Sequence, residues 1–596
     1  MTYGVEPAAI AIFVAFVALV LAISFYLSRK VRSSSGYYAA EGRIHWSVNG
    51  VAFAGDYLSA ASFLGIAGMI ATAGYDGFLY SIGFLGGWVV ALFIVAEPMK
   101  RLGKYTFSDA LDSTFKSRSI RMAAAVSTLV VSICYLIPQM VGAGALVTPL
   151  LGLPHYAGVI IVGGVVILIV STAGMTSTTY VQFIKGALLI IFSTVLVVLL
   201  LVRGLQTPPQ SDYHEFQTLT AEMSGSGGTS VTGIRDPGYQ FLRQAESGGQ
   251  AFVQVRHDGR ESWWRLTEPS GATATLEETL SIQESGGTTL YNGAPREEGR
   301  FYQVGHVDRL VVDGEEVDET GPVGPFEFVS ILQDSDIARF TKESFPYEDG
   351  SVTLWYQNVT PGRLVMRPGL KFRVDEGATT ASKLNFISLM LALFLGTSAL
   401  PHILIRYYTV PSPKAARRST IVAIASIGFF YILTLFLGLG AMTSGVMDVQ
   451  SSNMAAPLLA RLFGVPLFAF ISAVAFATVL GTVSGLIVAA SGAIAHDIVD
   501  NVLRISTTDA GQVFAGRIAA VVVGGIAIVL GIVLKGMNVG FLVGLAFAVA
   551  ASANLPSILL ILFWKRTTSQ GIVASISVGI VSSLVLILLS PSFFER

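Results

Sequence analysis

Small and polar residues interrupt an otherwise apolar stretch at residues 52–65 (AFAGDYLSAASFLG). A helix that breaks after Asp56 would leave the carbonyl groups of residues such as Gly55 and Leu58 without helical partners. Such carbonyls are hard oxygen ligands of the kind that suits Na⁺. Asp56 is an ionisable group inside an apolar segment, where it is costly and therefore a functional candidate. Favouring a cation, carrying a proton and capping the broken helix remain open as its roles.

The half-helix that restarts after this break would point its free amide groups, around residues 60–62, at the same place. An anionic carboxylate fits such amides and the positive end of the helix dipole without a buried arginine. We therefore predict that Ser59, Ala60 and Ser62 contact a carboxylate substrate. The alternative is that both serines are ordinary packing residues at a helix crossing. The close succession of Gly55-Asp56 and the Ser-Ala-Ala-Ser stretch at 59–62 favours the substrate site over this alternative.

Thr478 and Thr482 stand four residues apart in the apolar stretch 475–486 (AFATVLGTVSGL). Residues at this spacing share one face of a helix, and Gly481 lies on the same side. The two hydroxyls, with a carbonyl freed beside the glycine, could complete a five-oxygen Na⁺ site. The alternative is that each hydroxyl bonds back to its own helix, and this stretch alone does not decide between them.

The elements that must position these residues are membrane-spanning helices. Of the 596 residues 52% are hydrophobic and 13% are charged, whereas an average soluble protein is about a quarter charged. Apolar runs longer than the roughly 18 residues that a bilayer requires recur along the chain. We predict twelve spans, near residues 8–28, 46–72, 76–97, 121–149, 156–175, 181–203, 385–407, 419–440, 464–494, 514–533, 540–563 and 570–589. The single cysteine, Cys134, excludes an intrachain disulfide.

A second interruption lies in the seventh predicted span, at residues 395–402 (LGTSALPH). With the first span set aside, the second and seventh spans open successive groups of five, which is where equivalent broken helices stand in an inverted five-plus-five repeat. Thr397 and Ser398 are accordingly predicted to contact the substrate. Gln139 lies beside Pro138 in the fourth span and could line the same cavity, although a proline kink with a satisfied amide is the alternative. His402 is a further candidate for the path.

Basic clusters predict the orientation in the cell's inner membrane. They lie at residues 29–32, 100–104 with 116–121, 406–418 and 565–566, each after an odd-numbered span. Loops rich in Lys and Arg are cytoplasmic, so both termini are predicted to be extracytoplasmic. No basic residue precedes the first span, which is therefore not expected to be a cleaved signal peptide. Lys185 and Arg406, near the cytoplasmic ends of their spans, are expected to snorkel.

Residues 205–382 form a predicted soluble insert between a first membrane part (1–204) and a second (383–596). The insert carries 14 Lys and Arg against 27 Asp and Glu, whereas the remaining chain carries 24 against 12. Because it follows an even-numbered span, the sixth, it is predicted to be extracytoplasmic. Segments 251–256 and 262–267, separated by Asp258-Gly259, predict β-strands, while 224–230 is Gly/Ser-rich. The insert either shields the outer mouth or captures a substrate or protein partner.

At these residues the sequence closely resembles the sodium:solute symporter family, in particular its branch of cation/acetate and monocarboxylate symporters. The matching stretches are 55–65 (GDYLSAASFLG), 96–107 (AEPMKRLGKYTF), 139–145 (QMVGAGA), 179–185 (TYVQFIK), 395–411 (LGTSALPHILIRYYTVP) and 495–497 (AHD). They cover essentially all the membrane segments but not the insert.

The resemblance implies an all-α polytopic fold like that of the leucine transporter, with Na⁺ as co-transported ion and alternating access. It assigns the cation ligands to Gly55, Leu58, Thr478, Gly481 and Thr482. At the substrate site it includes Ser62 and one further residue, Tyr57. Several relatives have Ser or Thr where this chain has Gly481, so one hydroxyl ligand is missing and H⁺ stays open as the coupling ion.

The predicted function is cation-coupled uptake of acetate or another small monocarboxylate across the lipid bilayer. Another solute, such as proline or a sugar, is the alternative within the family. A membrane sensor that uses the insert as its ligand-binding domain is a further alternative, weakened by inner loops of only about twenty residues. We expect no enzyme, organic cofactor or nucleic-acid partner, since no nucleophile motif, P-loop or metal-binding His cluster is seen.

Overall fold

The computed structural model describes residues 6–28, 39–103, 105–172, 175–224, 230–270, 272–298, 301–505 and 508–590. The basic cluster at 29–32, Lys104 and residues 225–229 of the Gly/Ser-rich stretch lie outside the described residues. The chain falls into two compact units. The helical unit comprises Val5–Leu199, Arg367–Leu439 and Ser451–Arg596, and the sheet unit contains Leu200–Met366 and Gly440–Gln450.

The first part of the helical unit contains a helix broken in two. Its segments, α2 (Trp46–Tyr57) and α3 (Ile66–Ala73, entered by a π-helical turn at Ala61–Gly65), are bent by 60° across the break. They follow α1 (Pro7–Ser28) and precede α4 (Tyr75–Val90), α5 (Ala96–Leu102), α6 (Phe107–Leu111), α7 (Arg118–Leu151), α8 (His155–Thr172) and α9 (Met175–Arg203).

The sheet unit holds two six-stranded sheets, ordered β2-β1-β6-β5-β4-β3 and β14-β9-β12-β13-β7-β8, and a two-stranded β10-β11 ribbon. The strands are β1 (Thr218–Met223), β2 (Val231–Ile234), β3 (Gln240–Ser247), β4 (Gln250–His257), β5 (Arg260–Ser270), β6 (Thr273–Glu278), β7 (Leu280–Ser285), β8 (Thr288–Tyr291), β9 (Val304–Arg309), β10 (Val311–Val312), β11 (Glu315–Glu316), β12 (Asp336–Tyr347), β13 (Gly350–Pro361) and β14 (Ser444–Met447). Two short helices accompany them, α10 (Pro325–Asp334) and α11 (Gly362–Val365).

The β-rich character predicted for the insert is confirmed. Strands β4 and β5 form a hairpin in which His257 pairs with Arg260. The two turn residues, Asp258 and Gly259, have φ values of 48° and 76°, the left-handed backbone that a two-residue hairpin turn requires. The sheet also recruits β14 from a distant part of the chain, because Ser444 pairs with His306 of β9.

The helical unit resumes after the sheet unit with a second interrupted helix. Helix α12 (Thr380–Thr397) ends, and after Ser398–Leu400 the chain forms α13 (Pro401–Leu404), which continues as a 3₁₀ segment at Ile405–Thr409. There follow α14 (Pro413–Thr443), α15 (Ala455–Leu462), α16 (Val465–Gly492, prolonged by π-helix to Val502), α17 (Asp509–Val533), α18 (Val539–Ala553), α19 (Leu555–Phe563) and α20 (Ser569–Leu588).

Nine helices in the described residues are long and apolar enough to cross a membrane, or ten if the bent α2–α3 pair counts as one span. The apolar helices at Pro7–Ile23 and His155–Val170 are shorter, so twelve spans stay a prediction. The most apolar window of α16 is 100% buried, against 61% or less for the other eight. Helix α16 is therefore surrounded by protein, which is where polar groups in a membrane protein are tolerated.

Asp76 ties the segment before α12 to the start of α4. Its carboxylate is fully buried and accepts backbone N–H bonds from Gly369, Lys371 and Phe372 at 3.0, 2.5 and 3.0 Å. Residues 367–382, which the sequence placed in the insert, thus belong to the helical unit, because a buried carboxylate of that unit holds their backbone.

We expect Asp76→Asn to lower the free energy of unfolding by about 2–4 kcal/mol, because an amide offers one acceptor oxygen where three N–H groups converge. Thermal unfolding of the purified protein in detergent measures the loss. Asp375→Asn, on the exposed part of the same segment, is the control and should leave the melting temperature unchanged. Equal melting temperatures for both variants would contradict this role of Asp76.

Candidate ion and substrate site

The break between α2 and α3 is a tight turn at Leu58 and Ser59. The amide of Ser59 donates to the carbonyl oxygen of Tyr57 at 2.8 Å rather than to that of Gly55, its partner in a regular helix. The carbonyl of Gly55 is thereby released from helical pairing. The predicted interruption of this span is confirmed, and it lies just beyond Asp56.

The amides that follow the break are held by side-chain oxygens. The amide of Ala60 donates to Oε1 of Gln139, and that of Ala61 donates to Oγ of Ser59, both at 3.3 Å. Nε2 of Gln139 donates to the same Ser59 hydroxyl at 3.3 Å. Neutral oxygens therefore occupy the positions at which the sequence predicts a carboxylate.

Hydroxyl groups link this turn to three other helices. The pairs are Tyr57 with Thr397 at 2.9 Å, Ser59 with Tyr135 at 3.5 Å and Ser62 with Tyr431 at 3.5 Å, all buried. Six of the seven predicted substrate residues are thus brought together, namely Tyr57, Ser59, Ala60, Ser62, Gln139 and Thr397. The seventh, Ser398, donates back to the carbonyl of Leu395 at 2.9 Å.

Tyr135 and Tyr431 also belong to this cluster and were not predicted from the sequence. Tyr135 precedes Gln139 by four residues, so the two share a face of α7, and that spacing was the available signal. His402 lies against Tyr135 with ring centroids 5.2 Å apart. Both ring nitrogens of His402 are buried and have no hydrogen-bond partner among the described residues, which leaves them open to a ligand.

Asp56 is the anionic centre of a buried cluster. Oδ2 accepts from Nε of Arg406 at 2.7 Å, and Oδ1 accepts from Nε2 of Gln182 at 2.7 Å. Both charged side chains are 0% exposed. Arg406 also donates to Oε1 of Gln182, whose Nε2 reaches the carbonyl of Gly481 at 2.9 Å. This network joins α2, α9, α16 and the 3₁₀ segment after α13.

Close packing of α2 on α9 brings Gln182 to Asp56. A Cβ on Gly186 would lie 2.7 Å from Cα of Gly55, and a Cβ on Gly55 would overlap the carbonyl of Gln182. Small residues let two membrane helices approach this closely. Gly55 therefore has a packing role besides the cation-binding role predicted for it.

Lys185 places its ammonium group among the predicted cation ligands. Nζ donates to the carbonyl of Thr478 at 2.8 Å, and the side chain is buried. A Cβ on Gly481 would overlap Nζ and would lie 2.6 Å from Cε. The lysine thus lies directly against the bare Cα of Gly481.

The prediction that Lys185 and Arg406 snorkel is wrong, since both are buried and bonded inside the helical unit. Helix α9 begins at Met175 rather than near 181, so Lys185 stands about 15 Å along it at 1.5 Å per residue. Arg406 follows the break after α12, which turns it away from the position expected at the end of a continuous span.

The oxygens of Thr478, Gly481 and Thr482 take part in hydrogen bonds here, whereas the carbonyl of Gly55 has lost its helical partner. The Thr482 hydroxyl donates to the carbonyl of Asp56 at 2.6 Å, and the Thr478 hydroxyl bonds back to Ala475 at 2.6 Å. The carbonyls of Thr478 and Gly481 accept from Lys185 and Gln182. The structure brings α2 and α16 together as the site requires, and it places an ammonium group on the carbonyl of Thr478 and beside Gly481.

A Na⁺ ion about 4 Å from an ammonium group would be repelled by about 4 kcal/mol at an effective dielectric constant of about 20. The only carboxylate bonded within this network, that of Asp56, is paired with Arg406. The arrangement therefore has no further negative charge among the groups described to offset Na⁺ beside Lys185.

A separate group of potential metal ligands is Asp109, His496 and Asp497, whose ligand atoms lie within 4.8 Å of one another. His496 contacts Asp109 at 3.4 Å, and Asp497 accepts from the Thr106 hydroxyl at 2.9 Å. These contacts pair the π-helical end of α16 with α6. An internal ion-pair network accounts for them.

Comparison with known proteins gives the family. A model of the sodium:solute symporter family matches residues 37–237 and 352–579. The chain belongs to the sodium:solute symporter family. It is 38% identical to the monocarboxylic acid transporter of Corynebacterium glutamicum over 595 residues, covering 98% of this chain and 84% of that protein. It is 36% identical to a Bacillus subtilis (strain 168) protein named uncharacterized symporter YwcA, covering 98% and 86%.

The symporter's fold is similar to that of a Na⁺-coupled sialic acid symporter solved in a substrate-bound, outward-open state. The TM-score is 0.59 at 12% identity, covering 97% of this chain and 98% of that one. The family and the apolar helices identify the chain as a multi-pass membrane transporter. Its relatives are transporters rather than enzymes.

We expect Arg406→Met in this symporter to lower the free energy of unfolding by about 3–5 kcal/mol, because it leaves the carboxylate of Asp56 buried and unpaired. The double variant Asp56→Asn/Arg406→Met should recover most of that loss, since neither charge remains. Thermal unfolding in detergent measures both.

The control is Arg417→Met. Its side chain is 54% exposed, with Nη1 3.8 Å from Oε1 of Glu97, and such surface pairs contribute about 0–1 kcal/mol. A double variant no more stable than Arg406→Met alone would show that the two charges do not stabilise each other.

Proposed function

We propose that this symporter couples the entry of a cation to the uptake of acetate or another small monocarboxylate by alternating access. Na⁺ is the ion that the family implies, and H⁺ is the alternative. The protein would operate in the inner membrane, with both termini and the insert at 205–382 extracytoplasmic. The relative named monocarboxylic acid transporter supports the substrate class.

The observation that carries the proposal is the pair of amides freed at the break in α2–α3. Those of Ala60 and Ala61 now donate to the neutral oxygens of Gln139 and Ser59. A substrate carboxylate has two oxygens of stronger accepting power and can replace both, since hydrogen bonds to ionised groups are roughly twice as strong as neutral ones. The start of a half-helix adds its dipole in favour of an anion.

Buried donors nearby also favour an anion. Nη1 of Arg406 and the ring nitrogens of His402 lack partners among the described residues. Counted at their formal charges, Lys185 and Arg406 exceed Asp56 by one positive charge. One monocarboxylate would neutralise that excess, whereas a neutral sugar would not.

The membrane potential assists the cycle only if net charge moves inward. Each elementary charge contributes about 2.3 kcal/mol per 100 mV. A cycle carrying one monovalent cation with one acetate is electroneutral and is driven by the concentration gradients alone. The substrate would bind from outside, become occluded at the two broken helices and leave to the cytoplasm.

Radiolabelled acetate uptake into proteoliposomes with imposed Na⁺ or proton gradients tests the proposal. We expect uptake above that of protein-free liposomes, inhibited by unlabelled propionate and pyruvate but not by proline or glucose. Stronger inhibition by proline or glucose would assign the symporter to another solute. Absence of uptake of any of these solutes would favour a sensor.

Replacement of Gln139 tests the carboxylate position. Gln139→Glu places a fixed carboxylate against the amide of Ala60, and we expect it to reduce acetate uptake at least about tenfold, a loss of about 1.4 kcal/mol of binding. Gln139→Leu removes the competing oxygen without adding charge and should retain more uptake. Gln333→Glu, at an exposed position of α10, is the control for added charge. Undiminished uptake by Gln139→Glu would place the substrate elsewhere.

A further inference from the structure

The predicted ion site of this symporter contains a lysine, Lys185, that is not a hydrogen-bond partner of Asp56. Both oxygens of Asp56 have other partners, Gln182 and Arg406. Lys185 donates instead to the carbonyl of Thr478 at 2.8 Å. Its ammonium is thus a second buried cation, held by an oxygen of the residues predicted to bind Na⁺.

The missing side chain of Gly481 leaves the space that Lys185 fills. A Cβ at that position would overlap Nζ and would lie 2.6 and 2.9 Å from Cε and Cδ of Lys185. A serine or threonine at position 481 would need the space that the lysine fills. A hydroxyl-bearing side chain at position 481 and the side chain of Lys185 in its present place therefore exclude each other.

The contact between α2 and α16 is also made without an ion. The Thr482 hydroxyl donates directly to the carbonyl of Asp56 at 2.6 Å, and Gln182 bridges Asp56 to Gly481. In a Na⁺ site these oxygens would point at a shared cation. Here the carbonyls of Asp56 and Gly481 accept hydrogen bonds from Thr482 and Gln182, so donors of the protein hold the helices together without a shared ion.

We propose that the ammonium group of Lys185 takes the place of Na⁺ at the predicted ion site, so that this symporter binds and exchanges its substrate without Na⁺ there. The inference rests on the proposed function for the choice of substrate. Of the two coupling ions left open there, it excludes Na⁺ at this site. It also makes Lys185 and Gly481 the residues that determine ion specificity.

The test uses the full-length protein in proteoliposomes loaded with unlabelled acetate, which exchanges for external radiolabelled acetate without a driving gradient. The exchange rate is measured in NaCl, KCl and choline chloride at one pH. We expect the wild type to exchange equally in all three salts. Thermal unfolding in detergent in the same salts gives a second readout, because an ion that binds only the folded state raises the melting temperature.

The variant Lys185→Met/Gly481→Ser removes the tethered cation and supplies a hydroxyl in its space. We expect Na⁺, but not K⁺ or choline, to stimulate its exchange about tenfold, which corresponds to about 1.4 kcal/mol, and to raise its melting temperature. Lys100→Met is the matched control, since Lys100 also donates to a backbone carbonyl, that of Tyr408 at 3.1 Å. It should remain indifferent to Na⁺.

Saturable stimulation of wild-type exchange by Na⁺, or a rise in the wild-type melting temperature with Na⁺ alone, would overturn the inference. A double variant that unfolds cooperatively and shows no response to Na⁺ would overturn it as well. Failure of the proposed function would give a different result: the wild type would unfold cooperatively but would exchange no monocarboxylate in any salt. The melting temperatures then still decide whether Na⁺ binds.

Discussion

The buried pair of Asp56 and Arg406 is the interaction on which the centre of the helical unit depends. Both side chains are 0% exposed, and taking a charge out of water costs several kcal/mol unless it is paired and hydrogen-bonded. Arg406 follows the break after α12, and Asp56 lies one residue before the end of α2. One ion pair thus joins the two broken helices.

The rest of the centre follows from the same two breaks. Each break releases backbone groups, and a buried backbone group must find a partner. Gln139 serves the amide of Ala60, and the Thr482 hydroxyl serves the carbonyl of Asp56. These two backbone groups are therefore bonded internally, whereas Nη1 of Arg406 and the ring nitrogens of His402 have no partner among the described residues. A substrate that binds the amide of Ala60 must replace its bond to Gln139, which makes substrate binding and rearrangement of the site interdependent.

The sequence predicted those features that depend on local composition. The break at Leu58, the interruption near Ser398 and the hairpin at Asp258-Gly259 all follow from small, polar or turn-forming residues in short windows. It failed where distant segments meet. Residues 444–447 follow the eighth predicted span and were not predicted to form a strand, yet they pair with β9, whose sequence lies far away in the chain. The start of α9 was placed six residues late, and that error moved Lys185 to the wrong depth.

The identity of the coupling ion could not be predicted from the kinds of oxygen ligand in the sequence. A carbonyl oxygen accepts an N–H bond from an ammonium group as readily as it coordinates Na⁺, so Thr478, Gly481 and Thr482 suit either. What separates the two cases is a side chain on another helix, Lys185, together with the empty Cβ position of Gly481 that admits it. Neither residue is informative alone: a lysine near a span end suggests snorkelling, and a glycine in a membrane helix suggests packing. Their contact, visible only in the folded chain, is what makes us propose both as determinants of ion specificity.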